Sequence, residues 1–313
     1  VSSNWDGGVR CWEVQEQSGQ IRAMPKAQVN HDNNAPVLDT CFSQDGQTVF
    51  SGGCDKAVRM WQLGSGQNQA QQIGVHDAPV KSVHFLPSTS LVVSGGWDKK
   101  LKFWDARQPN PVGTLDMPER VYDMDVRNNL MVVATANRHI ICYDVSGQPR
   151  EHVRKESPLK YQSRCISCFP DCTGFAVGSI EGRVAIHYLQ KVPGKDSFAF
   201  KCHRQESNVY AVNDICFHSG YGTFSTVGAD GVVNFWDKDH KQRLKGFPAI
   251  QKTIPCASFN ATGSLFAYAA SYDWSKGSQF HTPGTTPNEI LVHYTNEDEI
   301  KPKGKKTGGY KSR

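Results

Sequence analysis

Long apolar stretches are missing from this 313-residue chain. No run approaches the ~18 residues that a membrane-spanning helix needs. The first residues carry no secretory pattern of charge followed by an apolar core. Helical periodicity is missing as well, since no stretch of about ten residues repeats its apolar positions at the helical period. No Gly-rich loop follows a strand and opens a helix, which removes support for nucleotide binding. Cysteine is sparse: ten residues in 313 are too few for a disulfide scaffold. Several of them fall in expected buried strands, so reduced thiols of a cytosolic or nuclear protein are expected. Excess charge is slight, at a formal +5. The apolar content of 38% suffices for a core.

What is present is one phrase, written seven times. A turn of small residues leads into a short apolar run that stops at an aromatic. The copies are SSNWDGGVRCW ending at Trp12, SGGCDKAVRMW at Trp61, SGGWDKKLKFW at Trp104, TANRHIICY at Tyr143, GSIEGRVAIHY at Tyr188, GADGVVNFW at Trp236 and EILVHY at Tyr294. The endings lie 49, 43, 39, 45, 48 and 58 residues apart. A period near 40–45 with a Trp-Asp ending is the mark of WD-repeat propellers. The sequence therefore predicts an all-β, seven-bladed WD-repeat β-propeller over residues 1–298, with six full repeats after a partial first blade. Stacked repeats share one continuous core, so the length does not call for two domains.

Each repeat reads as three strands with an outer strand in the connection that follows. Blade two is Pro36–Ser43, Thr48–Gly53 and Val58–Leu63, and Asp45-Gly46 marks its first hairpin turn. The chain has no initiator Met and opens inside a repeat. The N-terminal part of blade one, with any targeting signal, is expected upstream of Val1. The last repeat carries an insertion between Ala270 and Asn288, and insertions in repeat arrays map to loops on one face. Residues 299–313 hold Lys301, Lys303, Lys305, Lys306, Lys311 and Arg313, and a disordered basic tail is expected there.

Several constellations imitate chemistry. His31, Ser51 and Asp55 precede Trp61, and His76, Ser94 and Asp98 precede Trp104. They resemble Ser-His-Asp triads, but the same spacing occurring twice argues against a single nucleophile. A polar network that pins each blade through the Trp indole is the expectation. Cys165-Ile-Ser-Cys168 with Cys172 has metal-like spacing but lacks the second pair that a structural zinc site needs. Trp104-Asp105-Ala106-Arg107 matches the W-D-x-R box of ubiquitin-ligase substrate receptors. Such a box is short and frequent among WD repeats. No nucleophile, metal site or cofactor loop supports an enzyme.

Two clusters have binding chemistry. Arg183 lies in a Glu-Gly-Arg turn ahead of a third strand, and Lys201 and Arg204 follow one connection later, so the three can converge. Fixed cations suit carboxylates, with Arg binding in bidentate fashion. The bland reading is a surface charge paired with Glu181 or Asp196. Trp274 in the irregular insertion, beside Lys276 and with Phe235 nearby, would give an aromatic platform next to a cation. That arrangement suits single-stranded nucleic acid. The bland reading is that Trp274 packs its own loop onto the propeller.

SPLKYQSRC (157–165), GSIEGRVAIHY (178–188), FKCHR (200–204), NFWDKDHKQRLK (234–245) and FAYAASYDWSKG (266–277) resemble the WD-repeat messenger-RNA export factor family of the nuclear pore. The likeness covers nearly the whole chain. A sister family of spindle-checkpoint WD-repeat proteins shares S-I-E-G-R-V-A and F-K-C-H-R, whereas the YDWSKG insertion favours the export factors. The resemblance implies a non-enzymatic adaptor without cofactor, metal or small-molecule substrate. It would capture an acidic hook, the GLEBS motif, of an FG-repeat nucleoporin and contact single-stranded RNA. It would reside in the nucleus and at the nuclear envelope, shuttling to the cytoplasm. It implies that positions matching Arg183 and Lys201 receive hook glutamates, and that Phe235, Trp274 and Lys276 line a nucleic-acid groove. Alternatives are a mitotic-spindle checkpoint adaptor for kinase-borne hooks and a cullin-type ligase receptor acting through Arg107.

Overall fold

The apolar runs become strands, and each strand within a sheet pairs antiparallel with its sequence neighbour. The computed structural model describes residues 1–17, 20–66, 69–280 and 288–304. The chain divides into two compact units, Val1–Cys168 and Phe169–Arg313.

In the first unit, blade one has three strands: Ser2–Ser3, Gly8–Gln17 and Gln20–Asn30. Blade two is Val37–Phe42, Thr48–Gly53, Ala57–Gln62 and Gln71–Val75. Blade three is Val80–Leu86, Leu91–Gly96, Lys100–Trp104 and Gly113–Asp116. Blade four is Val121–Arg127, Leu130–Thr135, His139–Asp144 and Arg150–Glu156, and Ser163–Cys168 opens blade five. In the second unit, blade five continues with Gly174–Ser179, Arg183–Tyr188 and Phe198–Lys201. A two-stranded ribbon follows, Arg204–Gln205 with Asn208–Val209. Blade six is Val212–Phe217, Phe224–Gly228, Val233–Asp237 and Gln242–Gly246, and blade seven is Ala257–Phe259, Leu265–Ala270 and Glu289–Tyr294. These seven sheets make the fold a seven-bladed β-propeller, as the repeat predicts.

The second strands of blades two to six are covered on both faces, so they read as continuous apolar or small residues. Every residue of Leu130–Thr135 and of Gly174–Ser179 is buried. First strands carry a different device. Their register shifts between Val37 and Asp39, between Val121 and Asp123, and between Val212 and Asp214. A bulge of this kind re-aims the side chain that follows it. Asp39 then accepts from the Val83 backbone N–H at 2.8 Å and from the Ser82 hydroxyl at 3.0 Å. Asp123 accepts from the Ile166 N–H at 2.8 Å, and Asp214 from the Ala257 N–H at 2.9 Å. Each carboxylate thus ties one first strand to that of the next blade. Burial pushes the Asp123 carboxyl up to about 6.

The boundary expected at 298 falls inside a short helix. Glu297–Ile300 forms a helix, and Ile300 is buried in a core with Val233, Phe235 and Phe266. The Gln242 amide donates to the Lys303 carbonyl at 2.7 Å. A single turn is too short to show a period, and the charges around Ile300 mask its burial in the sequence. Lys305, Lys306, Lys311 and Arg313 lie outside the described residues, as do 281–287 of the insertion.

Candidate binding surfaces

The apparent triads are internal. His76 Nδ1 lies 2.9 Å from Asp98, its Nε2 lies 2.7 Å from the Ser94 hydroxyl, and the Trp104 indole donates to that hydroxyl at 2.7 Å. His31 meets Asp55 at 3.0 Å and Ser51 at 2.8 Å, while Trp61 is buried among Val9, Val29, Val37 and Val49. A third network escaped the sequence reading. His203 meets Asp230 and the Thr226 hydroxyl, each at 2.8 Å, and the Trp236 indole donates to Thr226 at 2.9 Å. Thr replaces Ser there. The repeated spacing of hydroxyl, acid and Trp was the usable signal. A hydroxyl whose lone pairs and proton are shared by imidazole and indole is structural rather than nucleophilic. Burial lowers the pKa of His76, so the imidazole is held neutral.

Arg183 and Lys201 are direct partners across the antiparallel pair of Arg183–Tyr188 and Phe198–Lys201. Directly opposed residues share a face, with Cβ atoms about 5 Å apart. Arg204 folds back over the same turn, donating to the Glu181 carbonyl at 2.7 Å and to the Gly182 carbonyl at 3.4 Å. Gly182 takes φ +61°, and a Cβ there would sit 2.6 Å from the Cys202 carbonyl oxygen. Glycine thereby lets the Cys202–His203 link between the strands that bear Lys201 and Arg204 close onto the turn. Arg183, Lys201 and Arg204 thus all lie at the Glu181–Arg183 turn. Arg183 Nε is 3.7 Å from the Glu181 carboxylate, a loose pair, and the Arg side chain is 34% exposed. Lys201 is exposed, and among the described residues its ammonium has no carboxylate partner. Ile180, in the same turn, is an exposed apolar neighbour.

The other expected groove is not assembled as drawn. Phe235 is fully buried, packing its ring at 5.2–5.8 Å from Phe247, Phe259 and Phe266. It offers no face to a base. Trp274 is half-buried, in a left-handed conformation, with its ring 5.6 Å from Tyr272. Lys276 is exposed and lies 6.0 Å above the exposed Phe280 ring. A second aromatic surface went unread in the sequence. Phe200 and Trp236, both half-buried, have ring centroids 4.7 Å apart, and Phe198 lies 6.1 Å from Phe200. Lys241 Nζ sits 4.8 Å over Phe198. Alternation along Phe198-Ala199-Phe200 was the available signal.

Arg107 projects from the end of Lys100–Trp104 with its side chain 85% exposed, gripped by Asp105 at 2.8 and 2.7 Å. The hydrogen bond from Arg107 holds the Asp105 carboxyl down at about 2. All ten cysteines are free thiols; Cys165 and Cys168 are buried and Cys172 is partly exposed. Among the described residues no group of three or more His, Cys, Asp or Glu is placed to hold a metal.

Blades pinned by His-hydroxyl-Trp networks, with cations gathered on one turn, define a WD-repeat protein. Residues 25–62, 67–105 and 194–237 match the family described as WD domain, G-beta repeat. The chain is 52% identical to the Arabidopsis thaliana Protein RAE1 over 303 residues, 97% of this chain and 86% of that protein. It is 49% identical to the Xenopus tropicalis mRNA export factor over 98% of this chain and 84% of that protein. It is 46% identical to the Drosophila melanogaster Protein Rae1 over 97% of this chain and 88% of that protein. The chain belongs to the RAE1 mRNA export factor family.

Proposed function

We propose that this protein is a non-enzymatic adaptor of messenger-RNA export. In this reading it captures an acidic hook of an FG-repeat nucleoporin at the nuclear pore and contacts single-stranded RNA. The observation that carries the reading is the cation cluster. Arg183 and Lys201 are opposed in register, Arg204 braces the turn beneath them, and among the described residues Lys201 has no carboxylate of its own. Arg at such a position anchors interfaces well, because its planar fork matches a carboxylate. The names of the relatives supply the process, mRNA export. Capture of an immobilised nucleoporin hook fragment by the purified chain, and its loss in Lys201→Glu, tests the reading.

RNA contact is placed on partly exposed rings beside cations. Phe198, Phe200, Trp236 and Lys241 satisfy that requirement better than Phe235, which is withdrawn into the core. Trp274 and Lys276, with Phe280, provide a second stacking place.

A second reading is favoured by Arg107. Its 85% exposed guanidinium, fixed in orientation by Asp105, is preset for docking to a ubiquitin-ligase adaptor. Co-precipitation with that adaptor, abolished by Arg107→Ala, is the outcome this reading requires.

A further inference from the structure

Blade five breaks the polar pattern around Glu181. In blades two, three and six, the acid of the turn between second and third strands is engaged by a histidine: Asp55 by His31, Asp98 by His76 and Asp230 by His203. Four residues before each acid stands the hydroxyl that completes the network, Ser51, Ser94 or Thr226. In blade five the acid is Glu181, the position four residues earlier is Val177, and the preceding loop, 157–162, contains no histidine. The carboxylate is therefore left without its usual partner. Its side chain is only 14% exposed, and its Oε1 is buried with no hydrogen-bond partner among the described residues. Its Oε2 reaches Arg183 Nε only at 3.7 Å.

A carboxylate held under a cluster of three cations, yet poorly bonded to them, lowers the pull of that cluster on any acid from outside. It also resists release, because it is mostly buried. We propose that Glu181 is an intramolecular competitor for Arg183, a built-in limit on how tightly the turn holds an acidic partner. This rests on the hook-binding reading of the same site. Glutamate is long enough to reach Arg183 from the turn, whereas the Asp of the other blades is held by its histidine. The alternative role, that Glu181 orients Arg183 for the ligand, makes the opposite prediction.

The test titrates the full chain with a synthetic acidic nucleoporin hook peptide, comparing wild type, Glu181→Gln, Arg183→Gln and the double variant. Gln keeps the shape and removes the charge. Competition predicts that Glu181→Gln binds roughly 3- to 5-fold tighter, the scale of a partly exposed ion pair. It also predicts that this gain shrinks when Arg183 is already Gln. Unchanged or weaker binding by Glu181→Gln, with wild-type binding intact and Arg183→Gln impaired, overturns the competitor role and leaves the hook site standing. No binding by the wild type overturns both.

Discussion

Arg183 and Lys201 stand directly opposite each other on adjacent strands of blade five, two cations on one face with a single loosely held carboxylate nearby. Like charges opposed across a strand pair are destabilising. A fold that tolerates them leaves unspent attraction for an anion, and the binding account rests on that. Replacing Lys201 with Met is expected to leave the unfolding midpoint unchanged or slightly raised while weakening hook-peptide binding. Parallel urea titration and calorimetry check the two halves of this statement.

The carboxylates between blades should matter more for stability than any surface ion pair. Asp39→Ala strands the Val83 N–H and leaves the Ser82 hydroxyl only a long bond, 3.4 Å, to the Met124 carbonyl. The expected cost is about 2–3 kcal/mol, since the lost acceptor is charged and the donors are left without it. Urea unfolding of the variant reads this directly. By comparison, Lys301→Ala, which removes an exposed pair with Glu297, is expected to leave the urea midpoint nearly unchanged.

Acid should weaken the protein through His76. Burial lowers its pKa in the folded state, so below about 6.5 the unfolded chain takes up the proton first. The stabilisation is complete above that pH and is lost as pH falls from there toward the folded value. His76→Gln is expected to start less stable at pH 7.5 and to show a shallower loss by pH 5.5. Denaturation midpoints across that range give the two slopes.

Asp123 has the opposite sign. Burial raises its folded pKa to about 6, above the usual carboxylate value, so its contribution is full at low pH and is lost as pH rises through 6. Relative to wild type, Asp123→Asn should gain about 1 kcal/mol of stability on going from pH 5 to pH 7.5. Asn retains an acceptor for the Ile166 N–H, so the inter-blade hydrogen bond survives.

Stacking is tested on the half-buried rings. Phe200→Ala and Lys241→Glu are expected to weaken binding of a single-stranded oligouridine, with ~1–3 kcal/mol lost per unstacked base. The Lys241→Glu effect should fade as salt rises. Fluorescence anisotropy at two salt concentrations measures both. Trp274→Ala and Lys276→Glu, tested alongside, show how much the insertion contributes.

The blades were legible because turn chemistry and strand alternation are local and recur with every repeat. The facing of Arg183 and Lys201 follows from the same local rule, since a hairpin connection fixes which residues oppose, whereas Arg204 reaches the turn from a separate ribbon. The burial of Phe235 follows from its place on the strand. Alternation sends neighbours to opposite faces, so Phe235 points into the core while Trp236 is half-exposed. The third His network was hidden by a Thr in place of Ser. The helix at Glu297–Ile300 was hidden by its brevity. The carboxylate ties were illegible because a bulge sets them, and a bulge shows only when two strands are seen in register.

The most direct measurement is calorimetric titration of the chain with an acidic nucleoporin hook peptide, wild type against Arg183→Glu. The account predicts a wild-type Kd below about 1 μM and at least ~30-fold weaker binding for the variant, the scale of a disrupted charged contact at an interface. Wild-type binding that survives Arg183→Glu unchanged, or no binding by the wild type, would contradict it.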